Sequence, residues 1–336
     1  MKKEILERLK GTTSLLDDLD DLEYVSTGNF ALNKIISGHY DKGIPFGGVT
    51  QLRGDSSVGK SLFAASILSE AIKLGYHAKL LDAENAFSKQ FASMIGIDTS
   101  KLMYSTPETV EDAFDDMEKT ILAIRAEDKE TKIVMVLDSL AVLPVKDELL
   151  DEKEKAKGDS NYESNPMEGA LRAKITGSCL RKLNPLLRRN KVALVIINQH
   201  RNKITMFGDP TTLGSGGRSL EYYLFVDLLL KSSKTKNVIK DEKDRIIGIE
   251  VDVECKKNKC SIPFKTSNAT IMFDKGLDPY SGLLESLIEN GVEIEAKDKG
   301  RYQYKDTKFT GSTFSSILLD KTNQDTAMIR KLLGVE

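Results

Sequence analysis

Two runs in the chain are apolar without interruption: residues 133–137, Ile-Val-Met-Val-Leu, and residues 192–197, Val-Ala-Leu-Val-Ile-Ile. A strand with one solvated face alternates apolar and polar positions. These runs do not, so both are predicted as strands covered on both faces, as in a parallel sheet. With the polar residue that closes each, the predicted strands are 133–138 and 192–198. Further strands are predicted at 48–53, 78–82, 224–230 and 247–254. Between them apolar residues recur at helical spacing over 30–36, 61–68, 88–95 and 110–125, the last bounded by Pro107 and capped near Thr109. Helix and strand alternate, which predicts an α/β fold: a mostly parallel, twisted sheet flanked by helices.

The ends read differently. Residues 2–10 predict a short helix with Ile5, Leu6 and Leu9 on one face, and an acidic linker follows with Asp17, Asp18, Asp20, Asp21 and Glu23. A small arm packing on a neighbouring subunit and a solvated tail both fit this stretch. From Pro279 the chain reads as a small α+β module: a helix with Leu283, Leu284, Leu287 and Ile288 on one face, a polar hairpin over 301–309, and a helix over 317–333. The predicted division is therefore an arm and linker at 1–25, a core at 26–275 and a C-terminal module at 276–336. Two long stretches interrupt the core: a charged one over 146–166 and a polar, Gly-rich one over 200–217. Long structureless insertions in a compact domain are functional or disordered. Both follow the C-terminal end of a buried strand, the edge where α/β sheets bind ligands.

Composition narrows the classes. In 336 residues, 49 basic and 51 acidic side chains nearly cancel, so global charge does not draw the chain to nucleic acid or membrane. Cys179, Cys255 and Cys260 make no disulfide framework, and the last two lack zinc-ligand spacing. A reduced, cytoplasmic protein is the reading this favours. Three histidines argue against a histidine-based metal site, and the apolar runs are too short to span a bilayer.

The chemistry begins at Gly54-Asp55-Ser56-Ser57-Val58-Gly59-Lys60-Ser61. A glycine, four free positions and Gly-Lys-Ser, placed between a predicted strand and a predicted helix, match a phosphate-binding loop. Its backbone N–H groups curl around phosphate oxygens at a helix N-terminus. Lys60 would reach the β- and γ-phosphates and Ser61 would ligate Mg²⁺. Asp138 at the end of its strand suits a second Mg²⁺-directed carboxylate, although a capping aspartate would look the same. Glu84, just past strand 78–82, is placed to orient or deprotonate an attacking water. Asp82 competes for that role, and periodicity does not choose between them. Gln199 stands where strand 192–198 enters the second long loop, as a γ-phosphate sensor or as a polar strand cap. That loop offers Arg201 and Lys203 for phosphates, Met206 and Phe207 as apolar wedges, and glycines for close approach. The mixture suits single-stranded nucleic acid.

Together these segments resemble the RecA family of homologous recombinases over roughly residues 25–292. The matching stretches are the phosphate loop, Asp82-Ala83-Glu84, Val136-Leu137-Asp138-Ser139-Leu140-Ala141, Ile197-Asn198-Gln199-His200-Arg201, Met206-Phe207-Gly208-Asp209-Pro210 and Lys257-Asn258-Lys259. Gly276-Leu277-Asp278-Pro279-Tyr280-Ser281-Gly282-Leu283-Leu284 and Arg172-Ala173-Lys174 resemble the UvsX recombinases of bacteriophages. The resemblance implies a RecA-type ATPase core using ATP and Mg²⁺. It implies a DNA-dependent ATPase that polymerises as a helical homo-oligomer on single-stranded DNA and exchanges strands with homologous duplex, in the company of a single-strand binding protein and a mediator. Glu84 would be the catalytic carboxylate, with Lys60 and Gln199. Residues 148–168 and 200–217 would be DNA-binding loops, with Arg172, Lys174, Arg201, Lys203, Met206, Phe207, Gly216, Gly217 and Arg218 as contacts. Lys257 and Lys259 would reach a neighbour's ATP, and Phe91 and Phe273 would flank the nucleotide base. The first loop, Asp159-Ser160-Asn161-Tyr162-Glu163-Ser164-Asn165-Pro166, departs from the RecA glycine/methionine pattern. A ring-forming helicase on the same core and a weakly hydrolysing accessory paralogue are the alternatives.

Overall fold

The computed structural model describes residues 22–149, 168–199, 217–232 and 238–335. A ten-stranded sheet organises them. Its parallel half consists of β3 (Val49–Gly54), β4 (His77–Asp82), β5 (Leu102–Ser105), β6 (Ile133–Asp138) and β7 (Val192–Gln199), with β8 (Leu224–Ser232) beside β3. The antiparallel half continues through β10 (Ile246–Asn258), β11 (Thr266–Met272) and β12 (Gly276–Leu277), with β9 (Val238–Lys240) on β10. Across the sheet the order is β12-β11-β10-β8-β3-β7-β6-β4-β5.

The unbroken apolar runs are buried on both faces, as their pattern predicts. Val134, Val136, Ala193, Val195 and Ile197 enter one core, and Ile133, Met135, Leu137, Val192, Leu194 and Ile196 enter the other. The first core is closed by α1 (Phe30–Ser37) and α2 (Lys60–Lys73), through Leu32, Ile36, Phe63, Ile67 and Leu68. The second is closed by α4 (Val110–Glu127) and α5 (Glu168–Arg189), with the short α3 (Lys89–Met94) lying nearer the first. Thr109 caps α4 by accepting from Asp112 N at 3.1 Å, and Val110, Ala113, Phe114, Met117 and Ile121 form its buried stripe.

Several elements lie outside the sequence-based expectation. α5 is a 22-residue helix with Pro185 inside it. Proline interrupts helical hydrogen bonding, but Leu180, Leu183 and Leu187 are buried against the sheet and hold the helix together. β5, β9 and β11 carry weak alternation, and Tyr24–Val25 (β1) pairs with Ile44–Pro45 (β2). The helix expected over 317–333 is two, α8 (Phe314–Leu319) and α9 (Ala327–Leu333). Asp320 and Asn323 intervene, and their side chains accept from the backbone of Thr322, Asp325 and Thr326 instead of leaving it helical. The expected hairpin gains a third strand: β13 (Glu295–Lys297), β14 (Arg301–Tyr304) and β15 (Thr307–Thr310). With α7 (Leu283–Glu289) this module packs its own small core onto Tyr40 and Phe30. Asn29 Nδ2 donates to Asp278 O at 2.7 Å and Ser281 O at 3.0 Å, fastening the module to the start of α1.

Candidate nucleotide site

At the C-terminal ends of β3, β4, β6 and β7 lies a cleft of about 300 Å³. Ser56, Ser57, Gly59, Lys60 and Ser61 form its floor, with Glu84, Asp138, Ser139, Ile197 and Gln199 on one side and Phe91, Ile249 and Phe273 on the other. The expected phosphate loop thus joins a strand to a helix, and α2 starts at Lys60 itself. Gly59 has φ +87°, and a Cβ there would stand 2.5 Å from Ile271 Cδ1, so β11 permits only glycine without displacement. At Gly54 a Cβ would collide with the carbonyl oxygen of Leu230 on the adjacent β8. No side chain caps the first turn of α2, so its N–H groups remain available to an anion.

Lys60 is buried, and its ammonium donates to Gly54 O at 3.1 Å and Asp55 O at 2.5 Å. Burial lowers its pKa, an effect opposed by the charges of Asp138, Glu84 and Asp55. Asp138 is recessed at the end of β6. Burial pushes its pKa up to about 6, against a hydrogen bond with Ser61, and the neighbouring Glu84 and Asp82 carboxylates add to the rise. Ser61 and Asp138 are hard oxygen donors in contact, the donor set that Mg²⁺ takes beside phosphates.

Hydrogen bonding sets Asp82 and Glu84 in different surroundings. Asp82 is buried and accepts from Phe87 N at 2.9 Å, Ala86 N at 3.3 Å and Tyr104 OH at 2.9 Å, so it shapes the turn after β4. Glu84 is exposed to the cleft and accepts from Ser139 Oγ at 2.7 Å, while Ala83 N donates to Asp138 O at 2.6 Å. Ser139 and Tyr104, the two groups that sort the carboxylates, were not singled out in the sequence; their contacts span 55 and 22 residues. Gln199 lies level with Gly54 on the adjacent strand, at the mouth of the cleft and at the last described residue before the second loop.

The other candidates separate into three groups. Phe91 and Phe273 reach the cleft, Phe91 edge-on to Phe87 with ring centroids 5.4 Å apart. Lys257 and Lys259 do not. Lys257 pairs with Asp227 and so with Gln51, whereas the strand position level with Gly54 is Val253, four residues or about 13 Å along β10. Their ammonium groups meet the C-terminal end of α6 (Gly217–Tyr223): Lys257 donates to Glu221 O, and Lys259 to Tyr222 O at 3.5 Å. Arg172 is turned inward at the base of the first loop, on Glu148 at 3.2 Å and Ala141 O at 3.3 Å, so the structure gives it an internal partner. Lys174 is exposed. Arg201, Lys203, Met206, Phe207 and Gly216 lie outside the described residues, as does most of the first loop; Gly217 and Arg218 supply the first backbone of α6.

Comparison with known proteins adds to this geometry. A family model described as "RecA N-terminal domain" matches residues 6–278. The chain is similar to "Protein RecA" of Mycoplasma mycoides, 30% identical over 333 residues, covering 96% of this chain and 88% of that protein. It is also similar to that of Bacteroides thetaiotaomicron, 30% identical with coverages of 96% and 92%, and to that of Thermus aquaticus, 33% identical with coverages of 84% and 77%.

Proposed function

This chain belongs to the RecA family, and from that premise we propose that it is an ATP-dependent recombinase, assembling as a helical filament on single-stranded DNA and exchanging strands with homologous duplex. The observation that carries the reading is the convergence of Lys60, Ser61, Glu84, Asp138 and Gln199 on one cleft whose flanking strand, β7, runs directly into the second long loop. Bound ATP with Mg²⁺ would supply the phosphoanhydride to be cleaved. Ser61 and Asp138 would hold the ion, Lys60 would turn from its carbonyl partners to phosphate oxygens, and Phe91 and Phe273 would border the base. Glu84, steadied by Ser139, holds a water and takes its proton. Gln199 links the state of the cleft to the loop that grips DNA, and loop contacts with phosphates make that grip salt-dependent.

Lys257 and Lys259 serve the neighbouring protomer's cleft. Their distance along β10 from their own phosphate loop supports that assignment, and it makes hydrolysis dependent on assembly. The UvsX-like segments at Gly276–Leu284 and Arg172–Lys174 support the narrower reading of a bacteriophage-encoded member working in host cytoplasm with a single-strand binding protein and a mediator. Among the described residues no helix is long and apolar enough to cross a membrane. Lys60→Ala, shown folded by circular dichroism, is expected to lose ATP hydrolysis and strand exchange together. Full exchange by that variant refutes the proposal, and closed rings in images on single-stranded DNA favour the helicase reading.

A further inference from the structure

Arg172 stands near the start of α5, and its guanidinium is shared between two acceptors from the segment that follows β6. Nη2 lies 3.2 Å from Glu148 Oε2, and Nη1 donates to Ala141 O at 3.3 Å. Both distances are long for their kind. A charged N–H···O contact closes to about 2.7–2.9 Å, and arginine commonly meets a carboxylate as a fork, two N–H groups on two oxygens. Here the fork is open. Glu148 Oε1 and Arg172 Nε are buried, and neither has a hydrogen-bond partner among the described residues. A buried donor and acceptor left unmet are unfavourable. An ion pair that only fastened the helix would close on itself and satisfy both, but the guanidinium also reaches a main-chain carbonyl.

That carbonyl belongs to a turn whose first residue, Ser139, lines the nucleotide cleft. Beyond Ala141 the segment is tied to α4: Pro144 O accepts from Val110 N at 2.9 Å, and Lys146 Nζ is 2.8 Å from Asp112. Before it, Leu140 N donates to Ile197 O of β7 at 3.1 Å, and Ser139 Oγ donates to Glu84 at 2.7 Å. Ala141 is therefore two residues from the hydroxyl that steadies Glu84 and three from Asp138. Where its carbonyl is held sets how the turn presents Ser139 to Glu84.

We propose that Arg172 is a positioning residue for ATP hydrolysis, holding the turn after β6 through Ala141 O so that Ser139 keeps Glu84 aimed into the cleft. Arg172 does not itself line the cleft, so its contribution falls on turnover and not on nucleotide binding. The open fork is the consequence of serving two acceptors at once. The inference deepens the recombinase reading and rests on its hydrolytic part alone.

The test uses the full chain on single-stranded DNA, with ATP turnover and equilibrium binding of a fluorescent ATP analogue measured side by side. R172Q, which removes the charge and one arm, is expected to lower kcat by about tenfold, the weak end of what a charged hydrogen bond contributes, while analogue binding stays within about twofold. R172K, with one ammonium in place of two arms, should fall between R172Q and wild type. It keeps a charge beside Glu148, so it carries the test if R172Q fails to fold. S139A supplies the second side of a double-mutant cycle. Because Arg172 acts through Ser139, adding either Arg172 variant to S139A is expected to lower kcat by less than about twofold further. Wild-type turnover in the folded Arg172 variant overturns the proposal. So does analogue binding that falls in step with turnover, which makes the ion pair structural, and so do effects that multiply in the double variant. A wild type that hydrolyses ATP without exchanging strands ends the recombinase reading and leaves this inference to the same cycle; one that hydrolyses no ATP ends both.

Discussion

Replacing Asp138 by asparagine removes a charge that folding takes out of water before any ligand arrives. The Asp138 carboxyl titrates near 6 against an ordinary 3.8, so the folded protein holds its proton more tightly than the unfolded chain does. That raised value makes its contribution most favourable at low pH, and the contribution is lost as pH rises from about 4 through 6. At pH 7.5 the full difference of about two pH units corresponds to roughly 3 kcal/mol, an upper bound. At pH 5 the same relation gives about half of that. An asparagine side chain keeps the shape without the charge. Without nucleotide, D138N is therefore expected to be more stable than wild type in urea unfolding at pH 7.5, by about 1–3 kcal/mol, with an advantage roughly half as large at pH 5. Mg²⁺-dependent nucleotide binding should move the opposite way: it is weaker in D138N at pH 7.5, and only wild type gains affinity as Asp138 deprotonates between pH 5 and 7. Comparing the two proteins cancels titration of the nucleotide's own phosphates. Equal stability at pH 7.5, or parallel pH profiles for binding, would refute the assignment of Asp138 as a charge stored for the metal.

Three further outcomes follow from the geometry. E84Q should lower the turnover number for ATP by about 10²–10⁴-fold while equilibrium ATP binding, read by a fluorescent analogue, stays within a few-fold of wild type; loss of both would make Glu84 a binding residue. K257A/K259A should retain nucleotide binding at high dilution but lose DNA-stimulated hydrolysis, and mixing it with the equally inactive K60A should restore part of the activity, since each variant supplies what the other lacks. No recovery on mixing would argue against shared sites. G59A, forced to φ +87° with its methyl group against Ile271, should lose about 1–3 kcal/mol of stability, measured by its urea midpoint.

Local pattern carried much of this structure. Unbroken apolar runs gave β6 and β7 and their double burial, because side-chain period and burial are set within each strand. The phosphate loop was legible because strand, loop and helix are contiguous. α5 was not, because Pro185 and the charged stretch before it obscure its periodicity, and its packing on the sheet outweighs both. The different settings of Glu84 and Asp82 were equally hidden, since Tyr104 lies on β5 and Ser139 just past β6. The sequence places Arg172 beside the first loop. Its ion pair with Glu148 depends on how the segment after β6 folds back, which local sequence does not encode.

Lys257 and Lys259 sit at one end of the sheet and the acidic cleft at the other, which gives the protomer a head and a tail. In the proposed assembly every junction is then heterologous. One terminal protomer always presents a cleft that no neighbour completes, and the opposite terminus always presents lysines with no cleft to enter. The two ends of a filament are thus chemically unlike. Subunits at one end would keep their ATP longer than those at the other, so growth and loss would acquire a direction from the polarity of a single strand, β10.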